Sequence, residues 1–241
     1  MKTSSKRAAA RALLAAALWA NAVLPFAQSE PDSAAVIRSI DAAVQRRFDR
    51  VLGFTDVEHY QVFRGKDETH PVAEMTVKVT YKKNVGKNYD ILSKSGSEIV
   101  QHFGLQPLLD NEKTVNLPGN VERSWFNSSN YEMKLKPGGI QQLDGRDCYA
   151  IVVTAKSKAS NTINGDIWVD AHDGNIVKLD GIASKSPSTF AGSTHMMRQY
   201  NEIEGYPMAT HARAESSSAL FGRTVVMIDY GEYHVRVAPA R

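Results

Sequence analysis

The chain has a single cysteine, Cys148, among its 241 residues. One thiol excludes an intramolecular disulfide, so the fold depends on its hydrophobic core. Cys148 opens the apolar run 148–153, which favours a buried structural thiol over a nucleophile. It also lies far from the N-terminal segment, so it cannot be the acylated first residue of a mature lipoprotein.

The chain also lacks the motifs of the common enzyme classes. The sequences H-E-x-x-H, G-x-S-x-G, G-x-G-x-x-G and the Walker loop are absent, and the seven histidines are not paired at metal-ligand spacing. The densest polar cluster, residues 170–174, lacks the later glutamate of a calcium loop and lies where a hairpin turn is expected. We therefore predict no catalytic residue, no metal and no cofactor, and we do not expect an enzyme.

A surplus of basic residues is found only at the N terminus, where Lys2, Lys6, Arg7 and Arg11 lie. The whole chain has 29 Lys and Arg against 26 Asp and Glu. Without those four residues, the chain has 25 basic and 26 acidic residues, which gives a net charge of −1. Counterion release then gives nucleic-acid binding little driving force, so no nucleic-acid partner is expected.

The first 29 residues have the order of a secretory signal peptide. The basic residues precede an apolar run from Ala12 to Trp19, and small-residue cleavage sites follow at 20–22 and 27–29. The run is too short to span a bilayer. A retained amphipathic helix is the alternative, but the run has no polar face. We expect residues 1–29 to be removed on export to the periplasm, and secretion from the cell stays open.

Residues 30–241 are predicted to form one domain, because they contain no linker and no internal repeat. We expect this domain to be a monomer. Apolar residues spaced one, three and four apart from Val36 to Val51 predict an amphipathic helix with Asp32 or Ser33 as its N-cap and Gly53 after its end.

The rest of the domain is predicted to be mainly β-structure. Residues 97–121 are the exception, with short helical pieces broken by Pro107 and Pro118. Short, well-marked turns favour antiparallel pairing. The fold class is therefore α+β: a strongly curved, unclosed antiparallel half-barrel with an N-terminal helix and a helical lid insertion over its concave face. The predicted strands are 54–64, 72–83, 87–95, 131–136, 147–156, 163–170, 176–184, 194–204, 208–216 and 223–230.

The concave face of this sheet is the predicted binding site. Two helices cannot fill a half-barrel of about ten strands, so an apolar cavity should remain. Alternation of apolar and polar residues assigns side chains to that face. Ordinary core packing is the alternative for each of them. The predicted lining residues are Met75, Val77, Val79, Tyr81, Ile167, Val169, Val177 and Leu179.

The C-terminal half contains short motifs in an order that resembles a known superfamily. The segments are DGRDCY at 144–149, GDIWVD at 165–170, GNIVKLDG at 174–181, YNEIEG at 200–205 and the strand 222–230. Over residues 33–235 the chain resembles the LolA/LolB-like outer-membrane lipoprotein-sorting superfamily. The resemblance implies a half-barrel with a helical lid over a cavity for acyl chains, and no catalysis. The family's lid-latching arginine has no assigned counterpart here.

Together these observations predict an exported carrier that shields the acyl chains of a lipid or lipoprotein in an apolar cavity. A membrane-bound donor or acceptor protein is a candidate partner. The alternative is a periplasmic sensor or scaffold of the same fold with no transported ligand. A hydrolase with an unrecognised site is the third hypothesis.

Overall fold

One open antiparallel sheet dominates the molecule. The computed structural model describes residues 31–159, 161–185, 192–218 and 222–239. The predicted signal peptide lies outside these ranges. The eleven strands are β1 (Val51–Arg64), β2 (Ala73–Lys82), β3 (Gly86–Gly96), β4 (Tyr131–Leu135), β5 (Gln141–Leu143), β6 (Arg146–Ala155), β7 (Ile163–Asp170), β8 (Ile176–Ala183), β9 (Thr194–Ile203), β10 (Tyr206–Ser218) and β11 (Gly222–Val237).

The strand order is β3-β2-β1-β11-β10-β9-β8-β7-β6-β4, with β5 paired to β6. Among the described residues β3 and β4 are the two ends of this order, so the sheet is an unclosed half-barrel, as predicted. All ten predicted strands are present. The additional strand β5 has three residues that are exposed or half-buried, and so lacks the alternation that identifies a strand from sequence.

Helix α1 (Ser33–Arg50) begins where the sequence predicts. The Asp32 carboxylate caps it by accepting a hydrogen bond from the Ala34 N–H at 2.9 Å. The helix ends differently from the prediction, because Val51 is already extended and starts β1. Gly53 lies inside β1, where a Cβ atom would come within 2.6 Å of the Tyr81 carbonyl oxygen. The glycine therefore allows β2 to approach closely and does not terminate the helix.

The predicted lid is one nearly continuous helical segment, which we call the insertion. It comprises α2 (Glu98–Val100), a π-helical turn (Gln101–Leu105) and α3 (Gln106–Val115). Pro107 does not break it, and this proline lies in the first turn of α3, directly after the π-helical turn. Within the described ranges, no helix is long and apolar enough to cross a membrane.

Both helical elements cover the same face of the sheet, which we call the inner face. Directly paired residues of antiparallel strands lie on one side of a sheet, and seven consecutive strand pairings connect Met75 on β2 to Ile151 on β6. The row runs Met75, Tyr60, Ile228, Ala212, Arg198, Leu179, Ile167, Ile151.

The core on this inner face consists of two apolar clusters. The insertion covers the first cluster on β1–β3 through Val100, Leu105 and Leu109. Helix α1 covers the second cluster, on β4 and β6–β8, through Val36 and Ile40. Each helical element therefore shields its own half of the sheet. Among the described residues, the insertion is the only helical element that contributes side chains to the first cluster.

Candidate functional site

Most of the residues predicted to line a cavity belong to these clusters. Each cluster member among them is at most 4 % exposed, so in this conformation they are packed core residues. An acyl chain would reach them only after a helical element moves. The first cluster contains Met75, Val77 and Val79, and the second contains Ile167, Val169 and Leu179.

The two remaining predicted residues lie apart from the clusters. Tyr81 is half-buried and stacks on Phe54, with 5.1 Å between the ring centroids. Val177 is buried beside a shift in register between β7 and β8. The loop that joins these strands is a hairpin turn, in which the Gly174 N–H donates to the Asp170 carbonyl oxygen at 3.0 Å.

The inner face is not apolar throughout. On β1, Asp56 and Glu58 pair with Val79 and Val77 of β2, which places both carboxylates beside the first cluster. Each of these acidic residues is 1 % exposed. Neighbouring strands contribute further charged and phenolic groups, and we call this set the polar band. Its members are Asp56, Glu58, Lys87, Arg198, Tyr230 and Tyr233.

Glu58 is the best-connected member of the polar band. The Tyr60 hydroxyl donates to its carboxylate, and the Lys87 ammonium lies 3.4 Å from the Glu58 Oε1 atom. The same ammonium lies 3.7 Å from the Glu112 Oε2 atom of α3. Burial acts to lower the pKa of Lys87, but Glu58, Tyr89 and Glu112 outweigh it and hold that pKa well above the ordinary value. Lys87 therefore stays charged and links the insertion to the sheet.

Asp56 lacks such partners. Both carboxylate oxygens are buried without a hydrogen bond from a described residue. The nearby Tyr233 hydroxyl donates to the Ala209 carbonyl oxygen at 2.8 Å. Burial, followed by repulsion from Glu58, raises the pKa of Asp56 to about 7. A buried carboxyl group of this kind is available to a hydrogen-bond donor on a ligand.

Sequence reasoning missed the polar band. Asp56 and Glu58 lie two residues apart and between Phe54 and Tyr60 in the same period-two series, and this pattern was the signal that could have placed them on the buried face. Cys148 was placed correctly: it is buried in β6, and burial raises the pKa of its thiol to about 11.

No family model matches the sequence, and no curated protein matches it significantly. Solved structures do resemble it. A LolA superfamily protein from Nitrosomonas europaea is 14 % identical, with a TM-score of 0.43, over 87 % of this chain and 96 % of that chain. A domain named for outer membrane lipoprotein sorting, from Vibrio parahaemolyticus, is 11 % identical, with a TM-score of 0.47, over 82 % and 91 %.

A DUF1329 family protein from Desulfovibrio piger is 15 % identical, with a TM-score of 0.41, over 85 % of this chain and 95 % of that chain. These similarities concern the fold, and no ligand or activity follows from them. The predicted order of elements in the half-barrel is the order observed: one helix, three strands, a helical insertion and then the remaining strands.

Proposed function

We propose that this protein is an exported, monomeric carrier that binds a lipid or lipoprotein and shields its acyl chains on the inner face of the half-barrel. One observation carries the proposal. The first apolar cluster is covered by the insertion and not by a second sheet, so displacing one helical segment would expose a contiguous apolar surface. The N-terminal segment supports a periplasmic site of action.

The energetics of exchange support reversible loading. Val100, Leu105 and Leu109 are the insertion side chains buried in the cluster. Burying each contributes about 1.5–3 kcal/mol, and an acyl chain gains about 0.8 kcal/mol per buried methylene. A chain of about ten methylenes would therefore offset the displaced side chains. Because the two free energies nearly cancel, a carrier of this kind can both load and release its ligand.

The outer surface of the insertion also supports transfer to or from a membrane-bound donor or acceptor. Ile99 and Phe103 lie four residues apart on one helical face and are 62 % and 73 % exposed. On the neighbouring edge strand β3, Ile91 and Leu92 are exposed as well. Contiguous exposed apolar surface is typical of interaction sites, and the pair Ile99 and Phe103 would contribute to such a surface.

Uptake of a fluorescent fatty acid by delipidated protein tests the proposal. We expect saturable uptake that Val77→Phe weakens, because the ring fills the inner face at a fully buried position. The matched control, Lys78→Phe, places the same ring at an exposed position on the opposite face. Overpacking should lower the stability of Val77→Phe by about 1–3 kcal/mol, so folding is checked by circular dichroism. Unchanged uptake in folded Val77→Phe would refute the proposed site.

A second candidate is a sensor or scaffold whose interior is filled by its own side chains. The observation that favours it is the close packing of Val77, Val79, Ile167 and Val169, each of which is 0 % exposed. Mass spectrometry of lipids that co-purify with the mature protein, combined with fatty-acid titration, separates the two candidates. Absence of both co-purifying lipid and saturable uptake supports the scaffold. Turnover of an ester panel would instead indicate an enzyme.

A further inference from the structure

The last turns of α1 carry three arginines that face a cavity of about 210 Å³, which we call the arginine cavity. Their guanidinium groups bond to main-chain carbonyl oxygens. Arg46 donates to Asp173 at 3.0 Å, Arg47 to Pro207 at 3.1 Å and Arg50 to Pro239 at 2.8 Å. The cavity is lined by Ala43, Arg46, Arg47, Arg50, Asn175, Gly205, Tyr206 and Pro207.

These three arginines have no carboxylate within 4 Å in the described part of the chain, unlike several others. Arg38 on the same helix lies 3.6 Å from Asp32, and Arg213 and Arg223 pair with Glu68. Two acidic residues near these arginines, one on α1 and one across the cavity, accept hydrogen bonds from other side chains. Asp49 accepts from Gln45, and the Asp173 carboxylate accepts from Asn175 at 2.7 Å.

Arg47 is the central member of the group. It is part-buried, and burial lowers the pKa of its guanidinium below the ordinary value. The groups that act in the opposite direction are the phenols Tyr200, Tyr81 and Tyr233, and none of them is a carboxylate. A buried cation without a negative partner is unfavourable, so the site gains from an anion. The dipole of α1 favours basic residues in its last turn, but it does not explain why they converge on a cavity.

A second cavity of about 470 Å³ adjoins the first and shares Arg46, Asn175 and Gly205 with it. It runs along α1 past Ser39 and Ala42 toward His172. The first cavity has room for a small oxyanion, and the second leaves room for the remainder of a larger molecule. Asn175 and Tyr206 supply further polar groups beside the arginines.

We propose that the arginine cavity is a binding site for a phosphate-type oxyanion, either free phosphate or the phosphate of a lipid headgroup. Arginine side chains bind such groups through two parallel N–H bonds. Arg47 would bind the anion together with Arg46 and Arg50, which line the same cavity. The site lies beside the C-terminal turns of α1, next to the turns that contain Asn175 and Gly205, and none of its lining residues belongs to the two apolar clusters.

Isothermal titration calorimetry with inorganic phosphate at constant ionic strength tests the site. We expect saturable binding that Arg47→Gln weakens at least tenfold. Arg38→Gln on the same helix removes an equal charge outside the cavity and should leave the affinity unchanged. If Arg47→Gln does not fold, the double variant Arg46→Gln/Arg50→Gln should give the same loss. Absence of saturable binding, or an equal loss in Arg38→Gln, would overturn the proposal.

Vesicle flotation identifies the source of the phosphate. Wild-type protein that floats with phosphatidylglycerol vesicles but not with phosphatidylcholine vesicles, and requires Arg47, binds a lipid headgroup. Binding of inorganic phosphate without flotation assigns free phosphate, and either result supports the site. Acetate that displaces phosphate at equal concentration would show general carboxylate binding and contradict the proposal.

Discussion

The Lys87 Nζ atom of β3 lies 3.7 Å from the Glu112 Oε2 atom of α3, across the boundary between the sheet and the insertion. The same Nζ atom lies 3.4 Å from Glu58, inside the polar band. Lys87 thus connects a residue of the insertion to a carboxylate of the inner face. Opening of the insertion would separate Glu112 from Lys87 while Glu58 kept its partner.

Weakening this ion pair should make the insertion open more often. Glu112→Gln removes a part-buried pair worth about 1 kcal/mol, which corresponds to about fivefold faster amide exchange in α3. Hydrogen exchange measured by mass spectrometry would report it. Asp110→Asn on the same helix, where no ion pair involves Asp110 among the described residues, is the control. Equal exchange in both variants would show that the pair does not hold the insertion closed.

In the wild-type protein the insertion should already exchange faster than the centre of the sheet. It contributes three buried side chains to the first cluster, whereas β7 and β8 pair with each other and with strands on both sides. Hydrogen exchange of residues 98–115 should therefore exceed that of residues 163–179. Similar protection in the two segments would favour the rigid, self-filled interior of a scaffold.

The buried carboxyl group of Asp56 predicts an unusual pH dependence of stability. Its pKa is raised from 3.8 to about 7 in the folded state, so between these values the folded protein binds more protons than the unfolded one. The free energy of unfolding should fall as pH rises through this window, by a few kcal/mol, and then level off. Glu58 strengthens the effect, and Lys87 opposes it.

Asp56→Asn should abolish that dependence. The variant should be more stable than wild type at pH 8 and should lose this advantage toward pH 4, as measured by urea unfolding across the range. A wild-type protein whose stability rises from pH 4 to pH 7, with no change in Asp56→Asn, would show that the Asp56 carboxylate is satisfied in solution.

Export should remove the N-terminal segment. Intact-mass measurement of protein recovered after export should give an N terminus between Val23 and Glu30, because the small-residue cleavage sites precede these positions. A recovered chain that still begins at Met1 would contradict the signal-peptide interpretation.

Periodicity predicted most of the fold because one face of each element is buried. The alternation around Val77 and the stripe that includes Ile40 both reflect that burial. The same assumption concealed the polar band, since a buried strand face was expected to be apolar and Asp56 is not. The arginine cavity depends on residues brought together from α1 and from distant turns, which spacing along the chain cannot reveal. Gly53 was assigned to a helix end because local signals do not show how closely β2 approaches.

The turn between β7 and β8 offers a test of how tightly α1 is held against the sheet. Gly174 has φ +76°, and a Cβ atom there would come within 2.5 Å of the Ser39 carbonyl oxygen of α1. Gly145 has nearly the same φ, +77°, with no heavy atom within 4 Å of its Cβ position. Both alanine variants carry the cost of a left-handed backbone, about 1 kcal/mol, but Gly174→Ala must also displace α1. We expect urea unfolding to show a clearly larger loss of stability for Gly174→Ala than for Gly145→Ala.

Because residues next to Gly174 line the cavities beside α1, Gly174→Ala should also weaken phosphate binding, whereas Gly145→Ala should not. Equal losses of stability would mean that α1 moves away from the turn at little cost.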